Sequence, residues 1–169
     1  MAFTTVPTRT TADPVINTDW NTYVSANFTE VEARKESDYI EVTTASTVIS
    51  ATTAATANTI ITGTAFTPSG ADKYRVEFGC ESAQATAIST IVFHLYDGAT
   101  NLGRLGVITN PAAAAFEQPV FLAREYTPSN ASHTFSIRAH RVTANWTIIG
   151  GAGGADVSFP IFIRTTRLP

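Results

Sequence analysis

The chain has 169 residues, enough for one domain of ordinary size with an appendage. Its net charge is −3, and 44% of its residues are hydrophobic while only 15% are charged, against about 25% charged in an average soluble domain. Scattered arginines offer no basic stripe to nucleic acid, a lone Cys80 excludes an intrachain disulfide, and no run approaches the ~18 apolar residues of a membrane span.

In chain order, residues 1–16 combine threonine, Pro7 and Pro14 with few large apolar groups, so an extended arm is expected there. It lacks the apolar core of a secretory signal, so folding in a cytosol is expected. Its apolar side chains, Phe3, Val6, Val15 and Ile16, can be buried only on a partner. The next stretch, to about residue 36, has the 3.6 period of a helix. Asn17 or Thr18 caps it, Asp19 complements its positive end, and Arg34 and Lys35 stand near its negative end. Trp20, Tyr23, Val24, Phe28 and Val31 form one apolar stripe. Asn27 interrupts the stripe, at a position where a polar group can fix register in a self-associating bundle. A helix of about five turns does not hold itself in water, so its stripe rests either on a neighbouring subunit or on the chain's own sheet. These ten residues, from Phe3 to Val31, are the candidate anchor and oligomer interface.

From Tyr39 the period changes to 2. Residues 73–83 alternate with Tyr74, Val76, Phe78 and Cys80 inward, which makes Cys80 a buried, inert thiol. Residues 133–142 alternate through Phe135, Ile137 and Ala139. Residues 157–166 alternate through Val157, Phe159, Ile161 and Ile163, with Pro160 restricting that strand to an edge or a bulge. Further strands are predicted at 39–44, 46–51, 58–66, 90–96, 102–109, 118–126 and 145–149. The Asp97-Gly98 pair predicts a tight hairpin. The threonine- and alanine-rich run 43–62 reads as one or two strands joined by a soft loop. With no interleaved helices, this spacing predicts an all-β, antiparallel sandwich of the jelly-roll type. An arm and helix (1–38) precede the β domain (39–169).

No chemistry converges in the sequence. His94, His133 and His140 lack metal-binding spacing. His94 faces opposite to Phe93 and Leu95, while His133 and His140 read as solvated or interfacial. No serine stands in a nucleophile elbow, and the glycine run 150–154 lacks a phosphate-binding context. The expected class is therefore non-enzymatic, with no cofactor and no metal.

The stretch DPVINTDWNTYVSANFTEVEAR (13–34) resembles a segment near the start of many tailed-phage virion proteins. The matching positions are Asn17, Asn21, Tyr23, Val24 and Asn27. The region after it resembles the trimeric jelly-roll heads of the tumour-necrosis-factor and C1q type, used by phages as decoration proteins, head fibres and fibre tips. The resemblance implies a homotrimer in a virion, assembled in the host cytoplasm, with the major capsid protein or another virion protein as partner. A capsid decoration protein is the first expectation, because the chain leaves no room for a fibre shaft. The alternative is a tail or head fibre tip that recognises a host surface receptor or glycan, with exposed aromatic or polar pockets at its far end, for example near Trp146 or Tyr96. Neither reading involves nucleic acid or membrane.

Overall fold

The computed structural model describes residues 36–43, 46–68 and 72–168. Of the predicted arm and helix (1–38), residues 1–35, and with them all ten candidate anchor residues from Phe3 to Val31, lie outside the described residues, while its last three residues, 36–38, already belong to a strand. Among the described residues the chain forms ten strands and one short 3-10 turn, Ala54–Thr56. The strands are β1 (Glu36–Val42), β2 (Thr47–Ile49), β3 (Asn58–Thr62), β4 (Tyr74–Ala85), β5 (Ser89–Asp97), β6 (Thr100–Asn110), β7 (Phe116–Tyr126), β8 (Phe135–Arg141), β9 (Trp146–Ile149) and β10 (Ile161–Arg167).

Their pairing is nested. β1 pairs with β10, β2 with β9, β3 with β8, β4 with β7 and β5 with β6, all antiparallel. One long two-ply ribbon, closed at the Asp97–Thr100 hairpin, thus wraps into two facing sheets, which is the jelly roll expected from the sequence. Gly98 closes that hairpin with φ 54°, the left-handed region that glycine enters without cost. The six-stranded sheet is built on β4: β7 covers one edge, and the other is shared by β10, which leads on to β1, and β9, which leads on to β2. The four-stranded sheet has the order β3-β8-β5-β6.

Between the sheets lie Phe78, Val76, Ile161 and Ile163 from one side and Phe93, Leu95, Ile91, Phe135 and Ile137 from the other, with Trp146 at one end. Each of these is essentially inaccessible to solvent. Alternation of β-branched and aromatic residues puts every second side chain in this layer.

Two expectations need correction. Pro160 does not confine its strand to an edge: it precedes the strand, and β10 runs in the sheet interior between β1 and β4. Because the strand starts only at Ile161, Val157 and Phe159 lie outside the core layer, 49% and 67% exposed. A proline that cannot donate to a ladder ends the pattern earlier than its hydrophobic alternation suggests.

Candidate functional site

The outer face of the six-stranded sheet carries the residues that alternate with the core. β1 contributes Tyr39 and Glu41, β10 Phe162 and Arg164, β4 Arg75, Glu77, Gly79 and Glu81, and β7 Phe121. Register sets Phe162 opposite Gly79 and Gly79 opposite Phe121. Having no side chain, Gly79 leaves a floor for a ring: a Cβ there would collide with the Phe162 ring. Phe162 therefore stands between Tyr39 and Phe121, with ring centroids 5.9 Å and 6.4 Å away. Tyr39 is 45% and Phe121 60% exposed.

Next to these rings opens a shallow recess of about 370 Å³, lined by Tyr39, Glu41, Cys80, Glu81, Phe159, Pro160 and Phe162. Its two acids are engaged. The Tyr39 hydroxyl donates to Glu41, and the Phe159 amide donates to Glu81 at 2.6 Å. Burial pushes the Cys80 thiol up to about 12, so no thiolate is available for chemistry. Toward the other end of the face Glu77, 5% exposed, is gripped by Arg75 at 3.1 Å and by both Nε and a terminal nitrogen of Arg164 at 2.7 and 2.5 Å. The face thus presents clustered aromatic rings beside a Glu77 carboxylate held between two arginines. Contiguous exposed apolar surface of this kind marks an interaction site.

The outer face of the four-stranded sheet is of a different kind. His94, 7% exposed, sits at its centre. Its Nε2 lies 3.2 Å from His140 Nδ1, and its Nδ1 lies 3.4 Å from the Asn101 amide nitrogen. Arg138 stacks 4.3 Å above the Tyr96 ring, whose hydroxyl donates to the Ala54 carbonyl at 2.5 Å. Burial, then His140, then Arg104 lower the His94 pKa from its ordinary value. Burial and Arg104 lower that of His140. The reading of His140 as solvated is corrected: it is half-buried and paired with an imidazole 46 residues away.

His133 is corrected too. It is 7% exposed, its Nδ1 is 2.5 Å from Asp97 Oδ2, and its Nε2 is 3.0 Å from the Ser129 carbonyl and 3.2 Å from the Ser129 hydroxyl. Serine, imidazole and carboxylate stand in the order of a nucleophilic relay. The Asp97 carboxylate only accepts, so Nδ1 donates to it, and the nearer neighbour of Nε2 is the Ser129 carbonyl rather than the hydroxyl. His133 works as a clamp between the β5–β6 hairpin and the loop before β8. Asp97 completes it by accepting the Thr134 amide at 3.1 Å.

Trp146 and Tyr96 are themselves buried, 0% and 4% exposed, so neither ring lines an exposed aromatic pocket; the groups beside Tyr96 are polar, His94, Asn101 and Arg138. Among the described residues the exposed rings are instead Tyr39, Phe121 and Phe159, with the half-buried Phe162 between Tyr39 and Phe121, a cluster the sequence reading missed. A signal was present. Val120-Phe121-Leu122 and Ile161-Phe162-Ile163 are uninterrupted apolar triplets within alternating strands, so both faces of the sheet are apolar there.

No family model matches the chain, and no curated protein matches it. Among solved structures, the N-terminal endo-1,4-beta-D-xylanase 10B of Clostridium thermocellum, as CBM22-1 and GH10 modules with xylohexaose, is similar at a TM-score of 0.34 and 10% identity. The match covers 78% of this chain and 26% of that one, and a likeness so low carries no argument about function.

Proposed function

We infer that this chain is a non-enzymatic structural protein of a virion, a homotrimeric capsid decoration protein. Its copies meet at the outer face of the six-stranded sheet, and the segment ahead of β1 clasps the shell. The observation that carries this reading is the cluster of exposed Tyr39, Phe121 and Phe159 with the half-buried Phe162. Removing such rings from water gains ~1.5 kcal/mol or more each, against an association cost of at least ~4 kcal/mol. The neighbouring Glu77 already has its counter-charges in Arg75 and Arg164, so covering that part of the face strands no lone carboxylate. The virion setting rests on the resemblance of residues 13–34.

Two measurements test it. Sedimentation equilibrium of the whole chain should give three times the chain mass, and a monomer at micromolar concentration overturns the oligomer. Deleting residues 1–17 should abolish binding to empty capsids while trimers persist; continued capsid binding by the shortened chain refutes the role of the arm.

A further inference from the structure

The two sheets differ in charge. Strands of the six-stranded sheet hold seven carboxylates and four arginines, whereas those of the four-stranded sheet hold three arginines and one carboxylate. That carboxylate is Asp97, already engaged by His133 and the Thr134 amide. The cationic groups are also brought together. Arg104 on β6 and Arg138 on β8 both stand opposite His94 on β5, so their backbones are two strand spacings apart, about 10 Å. Arg104 is near enough to act on both imidazoles, and the Arg138 guanidinium lies over Tyr96, whose ring stands next to His94.

No group on this face answers their charge. Arg138 gives its guanidinium to the Tyr96 ring, the Gly98 carbonyl and the Ser136 hydroxyl, all uncharged. Arg104 has no ion pair among the described residues. The charged and titratable groups facing the imidazole pair are Arg104 from β6, Arg138 from β8 and the Tyr96 hydroxyl from β5, with the Asn101 amide beside them. Cations gathered without a counter-ion, in a chain whose net charge is negative, raise each other's energy, and one bound anion would relieve all of them.

We propose that Arg104 and Arg138, flanking the His94–His140 pair, form a binding site for a single oxyanion of the carboxylate or phosphate class. The guanidiniums supply charge-assisted N–H donors, and Asn101 steadies His94 and Tyr96 from one side. The site is on the face opposite the aromatic cluster and does not depend on the oligomer. An arriving anion favours the protonated imidazoles, so binding takes up protons and strengthens as pH falls.

The test is NMR of the His94 and His140 imidazole resonances in the full chain, titrated in parallel with inorganic phosphate, glucuronic acid, glucose and chloride. Phosphate, glucuronate or both should shift these resonances and raise both titration midpoints, and the arm that responds identifies the source of the oxyanion. Arg104→Gln, at an exposed position, should leave the fold intact and weaken the response about tenfold or more. The proposal is overturned if neither oxyanion moves the two imidazoles. Chloride or glucose matching the oxyanions, or an unchanged affinity in Arg104→Gln, also overturns it.

Discussion

His94 and His140 share an N–H···N bond, which needs one ring to donate and the other to accept. Protonating both destroys it and sets two positive charges beside Arg104 and Arg138. Their folded pKa values are lowered from 6.5, so the unfolded chain binds protons first as pH falls. Stability from this pair is complete above about 6.5, the unfolded value, and is lost as pH drops below it toward the folded values. Urea midpoints should therefore fall between about pH 7 and pH 5.5. His140→Gln should flatten that dependence, and equal slopes for the two proteins would show that the pair does not titrate as described. Glu77 gives a second residue-scale expectation. Glu77→Ala leaves Arg75 and Arg164 facing each other, but both are about half exposed and can rehydrate, so the cost should be only ~1–2 kcal/mol in denaturant unfolding. The sequence revealed that His94 points away from Phe93 and Leu95, because alternation is local. It could not reveal His140 or the Asp97–His133 clamp, whose partners lie 46 and 36 residues apart and meet only through the β5–β8 pairing.

Elements were more legible than residues. All ten strands stand where alternation and turn signals predicted them, with ends displaced by a few residues, because a period of 2 is written into each segment by itself. Strand order was not legible, since nesting the first strand with the last depends on pairings across the whole chain. β10 illustrates the boundary of local reading: its hydrophobic pattern begins at Val157, but the strand begins at Ile161, after the proline. Gly79 shows how one element shapes its neighbour. Within β4 it has no side chain, and the Phe162 ring from β10 takes the space. Gly79→Val should push that ring off the sheet and cost ~1–3 kcal/mol by overpacking. In a double-mutant cycle measured by urea unfolding, Phe162→Ala should recover part of the loss, because the obstructed ring is gone. Additive effects would mean that the ring does not rest on Gly79.

At the scale of the whole molecule, the jelly roll separates two surfaces with different physics. One presents clustered aromatic rings and a carboxylate held between two arginines; the other presents arginines and imidazoles without counter-charge. Association driven by the first depends on apolar area and responds little to salt. Recognition by the second is Coulombic and weakens as the Debye length shrinks, from about 10 Å at 0.1 M to about 3 Å at 1 M salt. The two functions should therefore separate cleanly. Phe121→Asp together with Phe162→Asp adds charge to the aromatic cluster and should shift sedimentation equilibrium from trimer toward monomer, by ~3 kcal/mol or more per subunit for the two rings. Raising salt should not reproduce that shift, and Arg104→Gln should leave the mass unchanged. If the doubly substituted chain stays folded by circular dichroism and keeps the mass of the unsubstituted protein, the aromatic face is not where copies meet.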